Sequence, residues 1–146
     1  MKQEEKELLI KDLCARLPYR VKGTVTYRNG VGKIYNVVKY INGEIYYKFS
    51  EKSGIWYDNI VIKPYLYPLS SMTEEQKEEL FFNYIHNDIY IDDFIDYFLA
   101  GELWHDITVG LDMLPGLIDW LNKNHFDYRG LIQKGLAIDA TGLNIY

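Results

Sequence analysis

The chain of 146 residues has a single cysteine, three histidines and four prolines. It also lacks any apolar run of the roughly 20 residues that a membrane-spanning helix needs. Each scarcity excludes something. One thiol, Cys14, cannot close an internal disulfide, so nothing ties the fold to an oxidising compartment. The first apolar run, Leu8-Leu9-Ile10, gives way at once to Lys11 and Asp12 and is too short for a signal-peptide core. A cytoplasmic location without a membrane partner is therefore expected. No GxSxG, HExxH, P-loop or GxGxxG pattern occurs. Enzymatic activity has no positive support, and no cofactor is expected.

What is present describes an ordinary folded chain, 48% hydrophobic and 25% charged. Its length suits one domain over residues 1–146, large enough to bury a core without disulfide or metal staples. Tyrosine stands out, at 14 residues. The net charge of −5 is unevenly spread. Residues 1–68 carry twelve Lys/Arg against seven Asp/Glu, a balance of +5, and residues 69–146 carry four against fourteen, a balance of −10. Such halves either attract each other or show faces of opposite sign to different partners.

Leu9, Ile10, Leu13, Cys14 and Leu17 recur at three- and four-residue steps, which predicts an amphipathic helix over 2–17, ended by Pro18. Cys14 on that stripe reads as a buried, unreactive thiol. From Tyr19 to Lys63 the period becomes two, and strands are expected near 20–28, 33–41, 44–50 and 55–63. Asn42-Gly43 between two alternating runs marks a two-residue type I′ hairpin. That register sets Ile41 opposite Glu44, Tyr40 opposite Ile45, Val38 opposite Tyr47 and Asn36 opposite Phe49, on a core face. Tyr35, Val37, Lys39, Tyr46 and Lys48 then fall on the other face. Beyond Pro68, Thr73 and Gln76 form a capping box for a helix through Leu80, Phe81, Tyr84 and Ile85. A second stripe runs through Ile91, Phe94, Ile95 and Phe98 to Gly101, and a third through Leu114, Leu117, Ile118 and Leu121. A short turn over 128–134 closes at Gly135.

The expected architecture is α+β. It has an N-terminal helix (1–18), a small antiparallel sheet or partly open barrel of SH3 or OB type (19–67), and a helical part (73–146).

Leu13 through Tyr19, Pro64 through Leu80, His125 through Ile132 and Gly135 through Tyr146 together make up about a third of the chain. In these stretches it resembles an uncharacterised family of small proteins encoded by gut anaerobic bacteria and by their phages and mobile elements. The resemblance implies a bacterial or phage cytoplasm and supplies no activity to carry over to any residue. Arg20 stands where it implies glycine.

Each of the three histidines has an acid nearby: His86 with Asp88, Asp92 and Asp93, His105 with Asp106, and His125 with Asp127. Imidazole and carboxylate are common metal ligands, but the spacing matches no standard site, and no metal is expected. His125, Asp127, Tyr128 and Arg129 form a dense polar cluster. They could supply a base and an anion clamp, but the favoured reading is structural, with Asp127 capping the last short turn and Arg129 paired with a nearby acid. The set Tyr35, Lys39, Tyr46 and Lys48 interleaves rings with ammonium groups, as single-stranded nucleic-acid binders do, and residues 18–63 hold eight Lys/Arg against three acids. The acidic second half opposes a polyanion, and tyrosine and arginine are also favoured at protein interfaces. The leading reading is thus a non-catalytic protein-interaction or regulatory module that binds another copy or a different protein. Single-stranded nucleic-acid binding comes second and a metal-dependent hydrolase third.

Overall fold

In a computed structural model the chain is described over residues 1–25, 33–41, 44–50, 53–55, 62–84 and 114–146. For residues 25, 33–35, 38–41, 44–50, 53–55 and 114 the description covers the backbone alone. The second helical stripe, His86, His105 and the turn residues Asn42-Gly43 lie outside it.

Helix α1 (Gln3–Arg16) is followed by a 3-10 turn, Leu17–Tyr19, with Pro18 inside it. Arg20 then adopts a left-handed conformation, φ 57°, which glycine enters more readily than any L residue. Strands β1 (Lys22–Val25), β2 (Lys33–Ile41), β3 (Glu44–Ser50), β4 (Ser53–Ile55) and β5 (Ile62–Leu66) come next. Helix α2 (Glu74–Tyr84), helix α3 (Leu114–Lys123) and a two-residue strand β6 (Ile138–Asp139) complete the described elements. The sheet order is β4-β3-β2-β1-β5-β6, with β5 and β6 parallel and the other pairs antiparallel. The fold is α+β with an open, mixed sheet rather than a purely antiparallel one.

The hairpin boundaries match the alternation read from the sequence, and Ile41 faces Glu44 and Tyr40 faces Ile45 as expected. Beyond Lys39, opposite Tyr46, the register shifts, so that Val37 faces Tyr47 and Asn36 faces Lys48. The expected pairs Val38 with Tyr47 and Asn36 with Phe49 are therefore incorrect. An extra residue on one strand reverses the inside–outside alternation on its far side. Val37, expected outside, is buried against α1, and Asn36, expected inside, is exposed. Most of the strand expected over 55–63 lies outside the described residues; at its two ends Ile55 belongs to β4 and Ile62 and Lys63 to β5.

Among the described residues three apolar clusters hold the elements together. Leu9 and Leu13 of α1 pack on Val21, Val37 and Ile62. Leu66, Leu131, Leu136 and Ala137 join β5 to the C-terminal segment, with Leu8 against them. Leu80 of α2 meets Leu117, Trp120 and Leu121 of α3 together with Leu69, Met72 and Phe126. The α1 stripe differs from the expected one. Asp12 and Arg16 are buried, whereas Ile10, Cys14 and Leu17 are only half-buried, and partial burial raises the Cys14 pKa.

β1 and β5 touch closely at Gly23, opposite Pro64. A Cβ there would lie 2.8 Å from Ile62 Cγ2 and 3.1 Å from the Lys63 carbonyl oxygen. Part of that clash is with backbone, which cannot turn aside. Gly23→Val is expected to cost about 1–3 kcal/mol through overpacking, read as a lowered thermal midpoint. An unchanged midpoint would contradict the β1–β5 pairing.

Candidate functional site

The last turn of α3 places the polar cluster. His125 N–H donates to the Asn122 carbonyl (3.2 Å) and Phe126 N–H to the Leu121 carbonyl (3.0 Å), while His125 itself has φ 59°. This is a Schellman end with histidine at the position that favours glycine, and Phe126 packs in one cluster with Leu121, which its amide reaches. Tyr67 N–H donates to the His125 carbonyl and Asp127 N–H to the Tyr67 carbonyl, so the chain beyond α3 is clamped to the end of β5.

From there the four cluster residues diverge. The Asp127 carboxylate accepts from the amides of Leu131 (2.9 Å) and Ile132 (2.7 Å) and so caps the next turn. Arg129 turns inward to Asp12, 3.3 Å away, and donates to the Tyr128 hydroxyl, which donates in turn to Asn122 Oδ1. Asp12 also receives Arg16 Nε at 2.8 Å and Arg16 Nη2 at 3.0 Å, with both side chains fully buried. Arg16 Nη2 donates further to the Phe126 carbonyl at 2.7 Å. Both guanidinium groups lie over the Tyr128 ring, at 5.5 Å and 4.8 Å. Two cations thus share one carboxylate, and the excess positive charge is met by a carbonyl and a π face. This ion pair links the two halves of the chain with the opposite polarity to their net charges, an acid from the basic half and a base from the acidic half. Tyr19 adds a second cross-half contact by donating to Asp119.

His125 stands apart from this network. Its ring is 6% exposed and lies flat on Tyr146, with centroids 3.7 Å apart. The Tyr146 hydroxyl donates to the Tyr65 carbonyl and accepts from the Lys22 amide, and burial of that hydroxyl pushes its pKa up to about 12. Among the described residues its buried Nδ1 has no hydrogen-bond partner. Burial first, then the charges of Arg16 and Lys22, bring its pKa down to about 4. The ring is therefore neutral at pH 7. Because the folded value lies below the unfolded one of 6.5, the unfolded chain takes up the proton first as pH falls. His125 therefore favours folding fully above pH 6.5 and progressively less towards pH 4. His125→Asn, which tolerates positive φ, is expected to flatten the fall of the urea midpoint between those pH values. Parallel curves for the two proteins would refute the assignment.

A cleft of about 430 Å³ opens beside His125 and Tyr146, bounded by Tyr67, by Gln76 at the start of α2, and by Lys123 and Asn124 at the end of α3. The sequence reading included His125, used Gln76 only as a helix cap and missed Asn124 and Tyr146, and nothing links the four until the fold gathers them. It missed Asp12 and Arg16 as well, although their four-residue spacing inside an apolar stripe was visible. Of the residues expected on one face, Tyr35 and Lys39 lie on β2 and Tyr46 and Lys48 on β3, with Lys39 directly opposite Tyr46 and Lys48 opposite the exposed Asn36; the register shift falls between Tyr35 and Lys39, so those two do not share a face. The side chains of all four are outside the description. Among the described residues no group of three or more His, Cys, Asp or Glu could hold a metal, and no helix is long and apolar enough to cross a membrane.

No protein-family model, no curated protein and no solved structure matches this chain.

Proposed function

We propose that this chain is a non-catalytic, single-domain binding module of a bacterial or phage cytoplasm that engages a protein, another copy or a different chain, through β2 and β3. What carries the reading is the fate of the polar cluster. Asp127, Tyr128, Arg129, Asp12 and Arg16 are committed to caps, ion pairs and hydrogen bonds inside the fold, which supports a structural rather than a catalytic use of the most reactive-looking segment. The described α1 core lies over β1, β5 and the Val37 end of β2. Nearer the turn of the hairpin Lys39 pairs with Tyr46, and tyrosine is a residue type favoured in interfaces for its ring area. The antiparallel order β4-β3-β2-β1-β5 supports a meander of SH3 type, a scaffold used for binding in many contexts.

The test is a photo-cross-linker, p-benzoylphenylalanine, in place of Tyr46 in the full chain. A discrete cross-linked protein that disappears in the Lys39→Glu, Lys48→Glu double variant is the expected result. If labelled single-stranded oligonucleotides instead bind tightly and lose affinity steeply with salt, and the same double variant abolishes that binding, the nucleic-acid reading replaces this one.

A further inference from the structure

The cleft beside His125 has features that the fold itself does not require. A non-glycine residue at the left-handed end of α3 is strained, and strained residues gather at ligand sites. His125 is 6% exposed and its Nδ1 is buried without a hydrogen-bond partner among the described residues, and such groups call for a specific explanation. Glycine would make the same Schellman turn with less strain and no orphaned nitrogen.

The cleft's other groups have a definite polarity. Gln76 Oε1 accepts the Thr73 amide, leaving the Gln76 Nε2 donor without a partner among the described residues. Asn124 Nδ2 donates to the Trp120 carbonyl, leaving the Asn124 Oδ1 acceptor in the same position. Tyr67, His125 and Tyr146 form an aromatic wall, the first two packed around the third. Lys123, exposed on the last turn of α3, supplies one ammonium group. A ring wall, an amide donor, an amide acceptor, the Ser71 and Thr73 hydroxyls and one cation, around about 430 Å³, complement a planar heteroaromatic with a donor–acceptor edge and a single anionic group. A simple anion would leave the ring wall and both amides unmatched.

We propose that this cleft is a mononucleotide-binding site, with the base against Tyr67, His125 and Tyr146, its edge read by Gln76 and Asn124, and the phosphate held by Lys123. A neutral imidazole suits the base side of such a site, because it adds ring surface and a hydrogen bond without drawing the phosphate from Lys123. The site is separate from the β2–β3 surface and stands or falls independently of it.

The test uses the full chain with ¹⁵N-labelled histidine, titrated with AMP, GMP, CMP and UMP, and with adenosine and inorganic phosphate as separate arms. At least one mononucleotide is expected to give saturable shifts of the His125 ring resonances. Lys123→Ala, a change at an exposed position, should weaken that mononucleotide by about tenfold while leaving adenosine within about twofold. Absence of any saturable shift up to about 5 mM of all four mononucleotides would overturn the proposal. So would phosphate alone binding as tightly as the mononucleotides, which would make the cleft a plain anion site. Binding indifferent to both Lys123→Ala and His125→Gly would place the ligand elsewhere and overturn it too.

Discussion

Asp12→Ala is expected to lower stability by about 3–5 kcal/mol, the usual consequence of removing one partner from a buried charge pair. The carboxylate is fully buried and is shared by Arg16 and Arg129. Its loss leaves two guanidinium groups beside the Tyr128 ring with only the Phe126 carbonyl and the Tyr128 hydroxyl to accept from them. Asp12→Asn should be nearly as damaging, since the amide keeps the shape but not the charge. An exposed pair gives the contrast. Lys77 Nζ lies 2.7 Å from the Glu74 carboxylate, whose side chain is 76% exposed, and Glu74→Ala should change stability by no more than about 0.5 kcal/mol. Replacing both members of the buried pair, Asp12→Leu with Arg16→Met, should cost less than Asp12→Ala alone, because no unpaired charge of the pair remains. Urea unfolding of the four variants decides the matter. Equal, small losses for Asp12→Ala and Glu74→Ala would show that the network is solvated rather than buried.

Phe126→Ala is expected to have an effect of the same order, about 3–5 kcal/mol, from lost burial and the cavity left behind. The side chain is 2% exposed and stacks on Trp120, with centroids 5.7 Å apart and planes inclined by 12°. It also meets the Tyr67 ring at 6.3 Å. Its backbone is tied three ways, through the amide to Leu121, through the carbonyl to Arg16, and through the bridge beside Tyr67. The residue therefore couples α3, α1 and the end of β5. Loss of near-ultraviolet dichroism from Trp120 should accompany the drop in urea midpoint, and a variant with unchanged midpoint would mean that this cluster is not core.

Local chemistry by itself determined the ends of several elements. Thr73 and Gln76 exchange hydrogen bonds at 3.0 and 3.2 Å at the start of α2, as their spacing requires. Leu114, Leu117 and Leu121 fall on one helix because the three- and four-residue steps belong to a single turn period. The hairpin β2–β3 takes its bounds from alternating side chains on either side of Asn42-Gly43. These features depend on contacts within a few residues, so the residue order contains them. Only the tertiary structure decided the rest. The register shift at Val38 depends on what packs against each face, and it reversed the inside–outside assignment of Asn36 and Val37. Asp12 and Arg16 are buried because Phe126, Tyr128 and Arg129 arrive from the far end of the chain to meet them. The strand Ile138–Asp139 is too short to show a period and exists only because the edge of β5 is there to pair with it. The cleft joins Gln76, Asn124, His125 and Tyr146, residues whose meeting no local rule encodes, since it follows from α2, α3 and the end of β5 closing on one core.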